Sequence, residues 1–229
     1  MGVEHRGGTL LALFILSVAV ALSVGACGGN KTQSKDFDTD EDAPLDAKVK
    51  KGVTPVADAE VAVIETDYGK IVIELYPNIA PNMVARFKQL INEGFYNGTT
   101  FHRINPDAGL IQGGDPLSKD NDPNNDGNGD SPYPNIPAEF SDLPYERGTV
   151  GAARKSIGNM TDTQVYDTAN CQFFITLKRQ TAFDKRFTVF GRVIEGLNTA
   201  DIIAAAPVEP GTEHPADRIV IKSITLKRQ

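Results

Sequence analysis

The chain has 229 residues, 30 acidic against 23 basic side chains for a net charge of −7, two cysteines and no tryptophan. An acidic balance of this kind argues against a nucleic-acid partner, because binding phosphates needs a basic face. Two cysteines exclude a disulfide framework, so residues 59–229 must bury an ordinary core of their own.

Arg6 precedes an apolar run from Leu10 to Leu22, followed by Ser23-Val24-Gly25-Ala26-Cys27. The run is shorter than the roughly 20 residues of a comfortable membrane span, and small residues follow it, so residues 1–26 read as an export signal. Val24-Gly25-Ala26-Cys27 resembles a bacterial lipobox, in which the cysteine is diacylated and becomes the first mature residue. Cys27 is the lipidation site on that reading, with membrane anchorage through acyl chains that each contribute about 0.8 kcal/mol per buried methylene. The other reading is an ordinary cleaved signal in which Cys27 is incidental. Gly28 and Gly29 lack the aspartate that retains some bacterial lipoproteins at the inner membrane. The expected location is therefore the extracytoplasmic face of the cell envelope, with the outer membrane favoured.

Residues 27–58 carry Asp36, Asp38, Asp40, Glu41, Asp42 and Asp46 among several lysines and few large apolar side chains. Such a composition cannot bury a core and reads as a flexible acidic tether, or as an acidic interaction tail. Beyond it, residues 61–66 and 71–76 are two strand patterns around the turn-like Asp67-Tyr68-Gly69-Lys70. Ile71, Ile73 and Leu75 alternate with Val72, Glu74 and Tyr76. Pro81 opens a helix with Val84, Phe87, Leu90 and Ile91 on one face, ending near Gly94. Strand patterns recur over 100–104, 150–153, 172–177, 188–193 and 218–226, and a second helix fits 197–205 before Pro207. Many strands and two helices exclude a doubly wound sheet and leave a barrel or a sandwich. Cys171, ahead of an apolar strand, reads as a small buried residue.

Four blocks carry more specific information: Phe101-His102-Arg103-Ile104, Gln112-Gly113-Gly114-Asp115, Gln172-Phe173-Phe174-Ile175 and Phe190-Gly191-Arg192-Val193. In this order they resemble the cyclophilin family of peptidyl-prolyl cis-trans isomerases, over residues 59–229. The resemblance implies a mainly β fold: a closed eight-stranded antiparallel barrel capped by two α-helices. A small barrel is filled by side chains, so the peptide groove belongs on its outer wall. It also implies a monomer that needs no cofactor and acts on proline-containing peptides and unfolded exported proteins.

The chemistry suits these residues. An X–Pro bond prefers trans by only about 0.5–1 kcal/mol, yet the barrier between isomers is about 18–20 kcal/mol. Lowering it requires a donor that bonds best to the twisted amide, plus an apolar pocket for the proline ring. Arginine stays charged and presents five N–H groups in a fixed fork. By resemblance Arg103 is that donor and Gln112 holds the substrate backbone. Gln172 and Phe174 match peptide-contacting positions, Leu110 supplies an apolar wall, and Ala153 and Arg154 fall beside the peptide. Strand alternation turns Phe173 into the core, and His102 is expected to face the barrel interior.

Some positions depart from the family. Between Asn105 and Gln112 there is one extra residue, and Ala108 or Gly109 stands where the family has an aromatic that floors the proline pocket. Weaker substrate binding is expected, with Phe183 and Phe187 refilling part of the volume. Phe187 replaces a histidine frequent in the family, and the late tryptophan that helps bind cyclosporin is absent, which implies poor cyclosporin sensitivity. A rival reading is a membrane-tethered peptide-binding module or chaperone with little turnover.

Residues 115–133 form a polar insertion in which Asp122, Asn124, Asp126 and Gly127 match the opening of a calcium loop, with Asn128 and Asp130 following. On that reading Ca2+ binds the 122–130 loop, which a calcium-dependent adhesion module would also use. The twelfth-position glutamate is missing, Tyr133 standing there, and Asn/Asp/Gly clusters also form turns that hold no metal.

Overall fold

A computed structural model describes residues 48–155 and 162–229. The export signal, Cys27 and most of the tether lie outside the described residues. The strands are β1 (Glu60–Thr66), β2 (Gly69–Leu75), β3 (Arg103–Asn105), β4 (Leu110–Gly113), β5 (Thr149–Ala152), β6 (Phe173–Thr176), β7 (Val189–Glu195) and β8 (Ser223–Arg228). The helices are α1 (Pro81–Asn92), the single turn α2 (Asp162–Val165) and α3 (Leu197–Ala204).

The first hairpin forms as its alternation dictates. Thr66 pairs with Gly69 across a two-residue turn in which Gly69 adopts φ +123°, a region that disfavours side chains. Ile71, Ile73 and Leu75 enter the main core with Ala62 and Ile64, while Val61, Val63 and Val72 cluster on the opposite face. Helix α1 starts at Pro81 and buries Met83, Val84, Phe87, Leu90 and Ile91. Ala80 offers no side-chain cap. Instead the buried Glu139 accepts from the main-chain N–H groups of Asn82 (3.0 Å) and Met83 (2.9 Å). A carboxylate there satisfies two orphan donors and complements the helix dipole. At the core's centre the Phe173 ring meets Phe87, Tyr96 and Phe101 edge-on, with centroids 5.5–6.1 Å apart.

The eight strands form one antiparallel sheet in the order β3-β4-β6-β5-β7-β2-β1-β8. It is curled into a half-barrel, which corrects the expectation of a closed one. Among the described residues the seam between the edge regions is spanned by an isolated bridge, Thr100 to Val220, with main-chain bonds from Gly98 to Ile221, Phe101 to Ile219 and Ile221 to Thr99. The physical reason lies in β3, which has three residues and starts after that bridge. The Ile104 N–H donates to the Glu213 carbonyl (2.7 Å), so a loop covers this edge.

Residues 48–58, assigned to the tether by composition, are held on the sheet domain. Val49 packs with Phe140 and Tyr166, Lys50 bridges to Ser141, and the Asp58 N–H donates to the Leu75 carbonyl. One buried valine and a few main-chain bonds suffice to dock a segment whose composition reads as solvated.

Candidate active site

The β3–β4 hairpin sets Arg103 directly opposite Gln112, and the β4–β6 register sets Gln112 opposite Phe174. A polar relay runs across these strands. Arg103 Nη1 donates to Gln112 Oε1 (3.1 Å), Gln112 Nε2 donates to Gln172 Oε1 (3.0 Å), and Gln172 Nε2 donates to the carbonyls of Gly127 (3.1 Å) and Gly129 (2.9 Å). Each amide thus has its oxygen toward the arginine side and its nitrogen toward the 127–129 loop. At the other end, Arg103 Nε is ion-paired with Glu213. Arg103, Gln112, Gln172, Gly127 and Glu213 line a cleft of about 740 Å3, together with Ala153, Arg154 and His214.

Beside the relay lies an aromatic cluster. Phe174 stacks on Tyr145 at 5.7 Å and takes Phe183 (5.7 Å) and Phe187 (5.6 Å) edge-on. Gly151 makes this packing feasible, because a Cβ there would stand 2.5 Å from both Phe174 Cζ and Tyr145 Oη. Ala153 belongs to this cluster and to the cleft. Arg154 lines the cleft with its guanidinium 4.3 Å from the Phe187 ring centroid and 4.8 Å from that of Tyr166, so it stacks on aromatic faces. Leu110, Phe174, Phe183 and Phe187 are not among the residues that line this cleft; Leu110 and Phe174 are buried and the other two half-buried.

The space beside Gly109 is filled differently from the expectation. Gly109 adopts φ +60°, and a Cβ there would fall 2.7 Å from Lys178 Cγ. Lys178 Nζ donates to the Asp107 carbonyl, and the Leu177 N–H donates to the Gly109 carbonyl. A lysine stem therefore crosses the region, while Phe183 and Phe187 pack on Phe174.

His102 is buried but lies outside the barrel core, which corrects its expected place. Phe101 and Ile104 take the core positions, and His102 lines the cleft, its Nε2 lying 3.7 Å from where a Gly127 Cβ would stand. Neither ring nitrogen has a hydrogen-bond partner, and burial pushes its pKa down to about 4. The imidazole is therefore neutral rather than cationic near pH 7.

The calcium reading of the 122–130 loop finds no support in the structure. Among the described residues no group of three or more His, Cys, Asp or Glu side chains is placed to hold a metal ion. Asp122, Asn128 and Asp130 have other partners. Asp122 Oδ1 accepts from Asn124 N and Nδ2, Asp130 pairs with Lys155 (2.6 Å), and Asn128 Nδ2 donates to the carbonyls of Asn125 and Asp126. Asp126 is half-buried, and desolvation raises its pKa to about 6. The insertion is fastened by Asp115, fully buried, whose carboxylate accepts from Leu117 N (2.8 Å) and Gly129 N (3.2 Å).

Two participants escaped sequence reasoning. The carbonyls of Gly127 and Gly129 hold Gln172, which a main-chain contact hides from any motif. Glu213 lies 110 positions beyond Arg103, too far for any local motif to link the two.

Comparisons with known proteins identify the family. The family described as "Cyclophilin type peptidyl-prolyl cis-trans isomerase/CLD" matches residues 61–226. A "Probable peptidyl-prolyl cis-trans isomerase" of Brucella suis is 38% identical over 174 residues, covering 73% of this chain and 84% of that protein. "Peptidyl-prolyl cis-trans isomerase-like 3" of Gallus gallus is 34% identical, covering 71% and 93%. Among solved structures, a cyclophilin-type isomerase of Cryptosporidium parvum aligns with a TM-score of 0.64 at 28% identity, covering 74% of this chain and 98% of that one. A structure of the same protein in the presence of the dipeptide Ala-Pro aligns at 0.63.

Proposed function

We propose, for a chain that belongs to the cyclophilin-type peptidyl-prolyl cis-trans isomerase family and is such an isomerase, that Arg103 is the donor that lowers the rotation barrier. The observation that carries this is the cross-strand Arg103–Gln112 pair on the wall of the cleft. Gln112 and Glu213 each take one guanidinium N–H, which leaves three of the five for a substrate. A peptide in the cleft meets these donors at its X–Pro bond. As the amide twists, conjugation is lost and the lone pair localises on the prolyl nitrogen, which becomes a better acceptor, so a bond to it strengthens toward the transition state. Gln112 holds the neighbouring backbone, with its amide fixed by Gln172. Leu110, Phe174, Phe183 and Phe187 supply the apolar side of the site, and Ala153 and Arg154 flank the peptide.

The substrates are proline-containing segments of exported proteins still unfolded. Uncatalysed isomerisation takes tens to hundreds of seconds, slow enough to limit their folding. The protein works as a monomer on the extracytoplasmic side of a bacterial envelope, tethered through acyl chains on Cys27, with the outer membrane as its site. The support for that location is the Val24-Gly25-Ala26-Cys27 sequence after an apolar run. Radiolabelled palmitate should enter the wild-type chain and fail to enter Cys27→Ala.

The mechanism is tested by prolyl cis-trans exchange on a short Ala-Pro peptide. Arg103→Ala should lower kcat/KM by about 100-fold or more, the usual loss for removal of one preorganised donor. Wild-type rates in that variant would place the donor elsewhere.

A further inference from the structure

We infer that Glu213 is a positioning residue for the isomerase reaction, setting the plane of the Arg103 guanidinium from outside the β3–β4 hairpin. This rests on the reading of Arg103 as the donor. The 208–216 segment folds back on itself through a Val208–Pro215 bridge, with main-chain bonds from Glu209 to His214 and from Thr212 to Glu209. At its tip Glu213 grips β3 in three places. Its carbonyl accepts from Ile104 N (2.7 Å), one carboxylate oxygen accepts from Arg103 Nε, and the other accepts from Asn105 Nδ2. Arg103 and Asn105 are two residues apart on one strand, so their side chains leave the same face and one carboxylate reaches both. Asn105 is itself fixed, because its Oδ1 accepts from Ala108 N (2.6 Å).

Consider what each contact does to the arginine. Gln112 alone holds one Nη1 N–H and leaves the guanidinium free to pivot about that bond. A second contact at Nε, on the opposite edge, removes the pivot and aims the remaining N–H groups. The three-point grip distinguishes this from a clasp that a substrate would displace, since two of the three contacts do not involve Arg103. Both partners are about 40% exposed, and exposed ion pairs contribute little to stability. The carboxylate should therefore show itself in rate rather than in folding. A misplacement of about 1 Å can cost on the order of 100-fold in rate.

The test uses the full chain with Glu213→Ala, Glu213→Gln and Arg103→Ala, measuring kcat and KM separately by prolyl exchange on the Ala-Pro peptide. The Arg103 Nε–Hε resonance is followed in parallel as a readout of orientation. Glu213→Ala should lower kcat about tenfold with KM changed by less than about twofold, and should abolish the hydrogen-bonded shift of Hε. Glu213→Gln keeps an acceptor oxygen and should return kcat to within about threefold of wild type. An inactive Arg103→Ala beside a Glu213→Ala as fast as wild type, or faster, overturns the inference alone. Wild-type activity in Arg103→Ala overturns the donor reading and the inference with it.

Discussion

The two walls of the cleft are built by different rules. On the strand wall, Arg103 and Gln112 are placed by ladder register with Gln172 beside them, and each polar side chain finds a partner. The loop wall is made by the 115–130 insertion and the 208–216 segment, which carry Asp126 and His214, with His102, just before β3, packed against it. There, His102 Nδ1 and Nε2, Asn125 Oδ1, Asp126 Oδ1 and His214 Nδ1 are buried without hydrogen-bond partners. Unsatisfied buried polar atoms cost stability. The strand wall thus supplies geometry at little cost, while the loop wall holds groups whose charge state burial has displaced.

The strand wall should break first at its support. Phe173→Ala removes the ring that Phe87, Tyr96 and Phe101 meet edge-on and should cost about 3–5 kcal/mol in urea unfolding. A loss below about 1 kcal/mol would mean that the register of β6 does not depend on this core. Next in size is the relay. Gln112→Ala frees one edge of Arg103 and leaves Gln172 Oε1 without its donor, and kcat/KM should fall about tenfold, or about 1.4 kcal/mol in barrier. An unchanged rate would show that the strand wall's hydrogen bonds are structural only.

This contrast explains what the sequence disclosed. The pairing of residues 61–66 with 71–76, the α1 helix from Pro81 and the split between Phe173 and Phe174 follow from period and punctuation, and the structure has all three. Strand β4 has no such signal: four residues ending in Gly113 show no alternation, and only the family blocks place Gln112 opposite Arg103. Seam closure was not legible either, because it depends on Glu213 taking the β3 edge across 110 positions. Likewise Lys178 beside Gly109 and Glu139 on the α1 start are contacts between distant segments. Motifs report residue types at short spacing, and these contacts have none.

The loop wall gives a smaller, pH-dependent effect. Folded His102 takes its proton near pH 4 because burial disfavours the cation, whereas its ordinary value is 6.5. Between those values the unfolded chain binds more protons, so this residue destabilises the fold as pH falls. Folded Asp126 keeps its proton up to about pH 6 against an ordinary 3.8, through desolvation first and then Asp115. Between 3.8 and 6 the folded chain binds more protons, so this residue destabilises the fold as pH rises. Asp115 and His214 face both groups, and Asp120 and Arg218 also act on Asp126. From about pH 4 to 6 the two effects oppose. Asp126→Asn should therefore gain stability over wild type progressively as pH rises from 4 to 6, and His102→Gln should gain progressively as pH falls through the same window. Urea unfolding at pH 4, 5 and 6 measures both differences. Differences that do not change with pH would mean that neither group is displaced.

The smallest expected effect is that of calcium, and it separates the walls most sharply. A loop built to hold Ca2+ would leave its carboxylates free to converge, but Asp122 closes a local turn on Asn124 and Asp130 is committed to Lys155. An ion would have to displace both. If it did bind, a concentration 100 times its Kd would add about 2.7 kcal/mol to folding. That corresponds to an increase of several degrees in Tm for a domain of this size. Thermal unfolding of the full chain in excess calcium and in chelator should instead give midpoints within about 1 °C of each other. A rise of several degrees would turn the loop wall into a ligand-dependent element beside the cleft, and would predict a matching calcium dependence of kcat/KM.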